Sequence, residues 1–130
     1  MLTGVGTITV QVRDQDEALR FYTEKLGWEV RADMPMGPGQ RWLEVAPAGA
    51  HTRILLYKAT PEQPGAESFE AALAQIGHST GLVLEVEDIV GTFATLKERG
   101  VTIVDEVTQQ PYGWWGVFAD QDGNTYGVHA

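Results

Sequence analysis

The stretch TITVQVRDQDEALRFYTEKLGW, residues 7–28, decides the fold of this 130-residue chain because a second version of it follows. The second version, GLVLEVEDIVGTFATLKERGV, spans residues 81–101, and Asp14 and Asp88 occupy the same point in the two copies. Each copy opens with alternating apolar residues, which is typical of a half-buried β-strand. Each then changes to the spacing of an amphipathic helix, which begins at the aspartate and ends at a glycine. The repeat therefore predicts two modules of the same kind.

Further strand and turn signals complete both modules. Strands are predicted over residues 3–13, 28–34, 40–46 and 52–58, and again over 81–86, 102–107, 112–119 and 125–129. Helices are predicted over 14–26, 67–76 and 88–99. The segment TPEQPG, residues 60–65, is predicted to be a linker. The order βαβββ, linker, βαβββ indicates one α+β domain over 1–130, with modules at 1–59 and 78–130 and a linker with a short helix at 60–77.

Composition excludes several classes of function. The chain has no cysteine, so it forms no disulfide and has no thiolate metal site or catalytic thiol. Eighteen acidic residues against nine basic ones give a net charge of −9, which disfavours nucleic acid and anionic membranes and mildly favours neutral or cationic ligands. No apolar run is long enough to span a membrane, and we expect a cytoplasmic protein without a secretory signal.

Three segments carry a family resemblance, together with the tandem βαβββ order. They are VRDQDEALRFYTEKLGW (12–28), GQRWLEVAP (39–47) and PYGWWGVFADQDGN (111–124). The chain resembles the vicinal oxygen chelate superfamily, the group of glyoxalases, bleomycin-resistance proteins and extradiol dioxygenases. The resemblance implies two modules whose sheets curl into one bowl, with helices on the convex side, and frequent homodimers. It leaves the function open, because this superfamily includes isomerases, epimerases, dioxygenases, thiol transferases and non-catalytic drug binders.

The resemblance also implies where a metal ion would bind. Members that use a metal place one ligand, normally His, Gln or Glu, on the first and last strand of each module. The matching positions here are Thr7, Leu55, Gly81 and Gly127. A divalent ion needs three or four converging nitrogen or oxygen donors, so we predict that the usual metal site is absent and expect no cofactor. The alternative is a displaced site formed by Gln11, Glu85 and His129.

Strand alternation predicts which side chains line the bowl, since neighbouring residues of a strand point to opposite faces. The face toward the helices is predicted to carry Ile8, Val10, Val12, Leu82, Leu84 and Val86. Opposite them, the predicted ligand-binding residues are Thr7, Thr9, Gln11, Trp42, Arg53, Tyr57, Glu85, Trp114, Trp115 and His129. The neighbours Trp114 and Trp115 must take opposite faces, so only one of them is expected to be a wall. We expect Arg53 and Glu85 to meet or to flank the ligand, because a single buried charge is costly.

Two hypotheses from different classes of function follow. The first is a protein that binds a small, planar or aromatic, neutral or cationic molecule without a metal. The alternative is a metal-independent enzyme of the isomerase or lyase kind, or a dioxygenase relative without the usual metal site. In that case Glu85 is the general base, and Tyr57, Arg53 or His129 polarises the substrate. An interaction protein is a third possibility. A homodimer is expected in either case, because Trp114 and Trp115 are difficult to leave together in water.

Overall fold

The computed structural model describes residues 1–62 and 69–130, which form two four-stranded mixed sheets and three α-helices. The strands are β1 Thr7–Gln11, β2 Glu29–Pro35, β3 Arg41–Ala46, β4 Arg53–Tyr57, β5 Ser79–Glu85, β6 Thr102–Gln110, β7 Gly113–Ala119 and β8 Thr125–His129. The helices are α1 Gln15–Arg20, which continues as a π-helical turn over Phe21–Lys25, α2 Phe69–Gln75 and α3 Ile89–Glu98. The α+β class and the tandem βαβββ order are confirmed.

The chain divides into two compact units, Met1–Ile76 and Gly77–Ala130. Helix α2 belongs to the first unit. The predicted linker at 60–65 lies partly outside the described residues, as do the first two positions of the helix predicted over 67–76. That the whole chain is a single domain remains a prediction.

The two sheets have the same topology, which explains the repeat in the sequence. The strand order is β1-β4-β3-β2 in the first sheet and β5-β8-β7-β6 in the second. In each, the first strand of the module pairs in parallel with the last, and the remaining pairs are antiparallel. The parallel pair sets Gln11 beside Tyr57 in one sheet and Glu85 beside His129 in the other. Polar residues that are far apart in sequence are thereby brought together.

The first unit buries the strand face that the alternation assigns to its core. Val10 and Val12 are buried, whereas Thr9 between Val10 and Ile8 is exposed. From the helix, Tyr22 is fully buried and packs against Trp28 with ring centroids 5.5 Å apart. Tyr22 is therefore a core residue of the first unit.

Two predicted boundaries in the first unit are wrong. The first strand covers 7–11 rather than 3–13, because its partner β4 pairs with residues Thr7–Gln11. Residues 1–5 are exposed. The predicted α-helix over 14–26 is α-helical only to Arg20. The Thr23 hydroxyl donates to the Leu19 carbonyl at 2.7 Å, which competes for the acceptor of an α-helical N–H. Leu26 N–H then bonds the Phe21 carbonyl five residues back at 3.2 Å, which is the π-helical pattern.

Helix α3 packs closely on the sheet of the second unit. Asp88 begins it by accepting a hydrogen bond from Gly91 N–H at 2.9 Å. Its core face consists of Ile89, Phe93 and Leu96, all buried. The Phe93 ring lies against Gly116 of β7, where a Cβ atom would come within 2.6 Å of the ring. Glycine at position 116 therefore allows the helix to approach the sheet.

Candidate ligand-binding site

A groove of about 650 Å³ lies in the first unit, between the β2–β3 turn and the end of β4. Its lining residues are Met36, Pro38, Gly39, Gln40, Arg41, Trp42, Tyr57, Thr60 and Glu62. This volume is in the range of small-molecule binding sites, and such sites combine apolar and aromatic walls with a few polar groups. Trp42 and Tyr57 are the two predicted site residues that the groove contains. We call it the Trp42 groove.

The groove exists because β3 and β4 pair over only part of their length. Glu44 pairs with Leu55 in this ladder, and Trp42 and Tyr57 lie two residues beyond that pair. Where the ladder is not formed, the side-chain amide of Gln15 donates to the Arg41 carbonyl at 3.0 Å and to the Leu56 carbonyl at 2.9 Å. The first turn of α1 thus holds the separated strands at a fixed spacing. Gln15 was not among the predicted site residues.

The β2–β3 turn that forms one wall is itself hydrogen-bonded. Met36 N–H donates to the Gln40 carbonyl at 2.9 Å, and Gln40 N–H donates to the Gly37 carbonyl at 3.1 Å. Gly37 and Gly39 have φ values of 109° and 70°, which favour glycine. The Gln40 side-chain amide also donates to the Thr60 hydroxyl at 2.8 Å, which ties the turn to the segment after β4.

The cation in the Trp42 groove is neutralised by its own neighbours. Arg41 donates through Nε and Nη2 to the two carboxylate oxygens of Asp33 at 2.8 and 2.9 Å, and through Nη1 to Asp16 at 2.6 Å. The hydrogen bond from Arg41 lowers the pKa of Asp33, and the same contacts raise the pKa of Arg41. Glu62 lines the groove without an ion pair to any other described residue. The described lining of the groove therefore offers no uncompensated positive charge to an anion.

A second, smaller cavity of about 280 Å³ adjoins the Trp42 groove. Its lining residues are Thr9, Gln11, Tyr57, Ala59, Thr60, Phe69, Ala72 and Gln75. Tyr57 and Thr60 border both cavities. Thr9, Gln11 and Tyr57 are predicted site residues, and the unpredicted wall comes from α2. We call it the α2 cavity.

Arg53 has a partner that was not among the predicted site residues. The buried carboxylate of Glu44 accepts from the Thr7 hydroxyl at 2.9 Å and from Arg53 Nε at 3.1 Å. Alternation along β3 places Glu44 on the same face as Trp42, which could have identified it as a candidate site residue but not as the partner of Arg53. Glu44 thus balances the charge of Arg53, which was expected to need Glu85 or a ligand. That Arg53 and Glu85 flank a ligand remains a prediction.

Glu85 and His129 contact each other in the second unit. His129 Nδ1 is 3.0 Å from a carboxylate oxygen of Glu85, and Nε2 is 3.0 Å from the Tyr112 carbonyl. A neutral imidazole has one N–H, whereas both acceptors are satisfied by the doubly protonated ring. The Tyr112 carbonyl, and after it the Glu85 carboxylate, therefore raises the pKa of His129.

The adjacent tryptophans Trp114 and Trp115 differ in their surroundings. Trp114 is 38% exposed. The indole of Trp115 covers Gly127 on β8, where a Cβ atom would overlap the ring. The ring centroids of Trp115 and Tyr112 are 6.4 Å apart. Trp115, Tyr112 and His129 form an aromatic cluster on this side of the second sheet.

The residues at the family's metal-ligand positions do not fit a metal ion. The Thr7 hydroxyl already donates to Glu44, and Leu55 is a buried apolar side chain. Gly81 has no donor side chain, and Gly127 lies under the Trp115 ring. Within residues 1–62 and 69–130, no group of three or more His, Cys, Asp or Glu residues is arranged to hold a metal. The displaced set of Gln11, Glu85 and His129 remains the untested alternative: Gln11 borders the α2 cavity, and the other two contact each other.

Comparison with known proteins identifies the relatives of the chain. The sequence model of the family described as the Glyoxalase/Bleomycin resistance protein/Dioxygenase superfamily matches residues 4–128. The uncharacterized protein YetH of Bacillus subtilis (strain 168) is 40% identical over 126 residues, which is 97% of each chain. A crystal structure of TnmS3, an antibiotic binding protein from Streptomyces sp. CB03234, is 35% identical with a TM-score of 0.80 over 98% of this chain and 95% of that one.

A further relative supports the same grouping. A crystal structure of a member of this superfamily from Sphaerobacter thermophilus DSM 20745 is 32% identical, with a TM-score of 0.83 over 98% of this chain and 97% of that one.

Among the described residues of the present chain, no helix has the length and apolarity needed to cross a membrane.

Proposed function

The chain belongs to the glyoxalase/bleomycin resistance protein/dioxygenase superfamily, and we propose that it binds a small, planar, neutral or cationic molecule in the Trp42 groove without a metal. The observation that carries this proposal is a groove of about 650 Å³ whose walls include Trp42 and Tyr57. Among its described lining residues the only cation is Arg41, which is paired with Asp33 and Asp16. Flat aromatic walls favour a flat ligand, since offset stacking adds to the burial of apolar surface.

The charge of the site supports a neutral or cationic ligand. Arg41 donates to two carboxylates, so an anion entering the groove would compete with contacts that are already made. Glu62 adds a negative charge at the same groove, and the whole chain has a net charge of −9. TnmS3, which is similar to this chain, is an antibiotic binding protein, and this agrees with a binding function of this kind.

The experiment is a thermal-shift screen of planar aromatic compounds, followed by calorimetry with the best binder. A ligand that binds only the folded state raises the melting temperature through RT ln(1 + [L]/Kd), so no reaction has to be assumed. Trp42→Ala should weaken binding about tenfold or more, whereas Trp42→Phe should retain most of the affinity.

Trp114→Ala serves as the matched control, because Trp114 is an exposed tryptophan of the second unit. It should leave the affinity unchanged. If Trp42→Ala has no effect while Trp114→Ala weakens binding, the Trp42 groove is the wrong site.

An alternative function is a metal-independent isomerase or lyase reaction with Glu85 as the general base. The observation that favours it is the contact of Glu85 with His129, because a carboxylate beside an imidazole can exchange protons with a substrate. Glu85→Gln separates the two functions. In an enzyme it should abolish turnover and leave ligand binding intact, whereas a protein that only binds its ligand in the Trp42 groove should keep its affinity, because Glu85 does not line that groove.

A further inference from the structure

The α2 cavity has a different chemical character from the Trp42 groove. We propose that it is a subsite for an uncharged part of the ligand that carries hydroxyl or amide groups. The ligand would then have two parts, a flat apolar part in the Trp42 groove and a neutral polar substituent in the α2 cavity. This inference rests on the proposed function and adds to it the class of molecule.

The two cavities are arranged so that one molecule can occupy both. Tyr57 and Thr60 line both, so the cavities are adjacent across these two residues. Tyr57 is held in place as the partner of Gln11 in the parallel β1–β4 pair, and its carbonyl accepts from Val12 N–H at 2.9 Å. Thr60 is held by the amide of Gln40 at 2.8 Å. The boundary between the cavities is therefore a fixed part of the first unit.

The size of the α2 cavity suits a substituent rather than a complete ligand. At about 280 Å³ it is just below the range in which whole drug-sized molecules bind. Ala72 of α2 is buried and contributes only a methyl group to the wall. A larger side chain at this position would fill the space, which provides a way to close the subsite without altering its polar groups.

The lining of the α2 cavity selects uncharged polar groups. None of its described lining residues is charged, so an ionised substituent would find no counter-ion there. The polar side chains are the hydroxyls of Thr9, Thr60 and Tyr57 and the amides of Gln11 and Gln75. Hydroxyls and amides both donate and accept hydrogen bonds, and the groups that match them best have the same dual capacity.

The test uses three probes with one aromatic ring system: 2-naphthol, 2-naphthyl β-D-glucoside and 2-naphthyl β-D-glucuronide. We expect the wild-type protein to bind the neutral glucoside about tenfold more tightly than naphthol, and the anionic glucuronide no more tightly than naphthol. Gln75→Leu removes the amide and leaves a shorter, apolar side chain. It should abolish the preference for the glucoside and leave naphthol binding unchanged, and Ala72→Leu should do the same by filling the space.

The control is Gln109→Leu, the same change at an exposed glutamine of β6 in the second unit. It should change the affinity for none of the probes. Equal affinities for naphthol and the glucoside, or a glucoside preference that survives both Gln75→Leu and Ala72→Leu, would overturn the subsite and leave the proposed function standing. Naphthol binding that is indifferent to Trp42→Ala would instead overturn the proposed function, and failure of all three probes to bind would overturn both.

Discussion

At the scale of single residues, His129 provides a prediction about pH. Its two ring nitrogens face the Tyr112 carbonyl and the Glu85 carboxylate, and these contacts raise its pKa above the ordinary 6.5. A raised pKa in the folded state means that protonation stabilises the fold below pH 6.5, and that this stabilisation is lost as the pH rises through the folded-state pKa. We expect an NMR titration to give His129 a pKa above 6.5 and Glu85→Gln to lower it.

The matched control is Glu87→Gln, a nearby exposed carboxylate that should leave the pKa of His129 unchanged. Urea unfolding followed at several pH values should show that wild type loses stability relative to His129→Gln as the pH rises above 6.5. A pKa of His129 at or below 6.5 would mean that its two hydrogen bonds are not maintained in solution.

Strand parity pointed to some of the residues that line the two cavities, and their role in ligand binding remains a prediction. It placed Tyr57, Thr9 and Gln11 on one strand face, because alternation depends on the backbone alone. In the structure Tyr57 lines the Trp42 groove, and Thr9 and Gln11 line the α2 cavity. Parity did not reveal the partner of Arg53. Glu44 lies nine positions before Arg53 in the sequence, and only the pairing of β3 with β4 brings the two side chains together. Long-range register is not encoded in local spacing.

At the scale of elements, the packing of α3 on β7 can be tested by substitution. Phe93 is 2% exposed and lies against Gly116, so Phe93→Ala should cost about 3–5 kcal/mol of unfolding free energy. Gly116→Ala should cost about 1–3 kcal/mol because its Cβ would overlap the ring. In the Phe93→Ala background the same glycine change should cost less, since the ring it overlaps is gone.

Urea denaturation of the two single variants and the double variant measures this coupling, and Val104→Ala is the control. Val104 is half exposed on β6, and its truncation should stay within about 0.5 kcal/mol of wild type. A cost below about 1 kcal/mol for Phe93→Ala, or strictly additive effects, would show that α3 does not pack on Gly116 as described.

Element boundaries were less predictable than element types. The aspartates Asp14 and Asp88 were sufficient to place the beginnings of α1 and α3. The side chain of each accepts a hydrogen bond from the backbone N–H three residues further along the chain. The change to a π-helical turn at Phe21 had no signal in the apolar spacing. It depends on the Thr23 hydroxyl and on Trp28 N–H, which donates to the Tyr22 carbonyl at 2.9 Å. Such contacts appear only once the turn is folded.

At the scale of the whole molecule, we expect a homodimer in solution. Tyr112 is 62% exposed and Trp114 is 38% exposed, and they lie close together in sequence at the beginning of β7. Large aromatic groups left in water favour association. Sedimentation equilibrium should give twice the chain mass of 14.2 kDa, and Trp114→Lys should shift the equilibrium toward the monomer. A single species of chain mass at tens of micromolar protein would contradict the prediction.

The metal content of the purified protein is the last prediction. A site of the family's kind needs side-chain donors on four strands, and here Leu55 and Gly81 provide none. Thr7 donates to Glu44, and the place beside Gly127 is filled by the Trp115 indole. Elemental analysis should therefore find no stoichiometric divalent ion, and a chelator should leave the melting temperature unchanged. About one zinc, nickel, manganese or iron per chain would contradict this and would favour the displaced donors Gln11, Glu85 and His129.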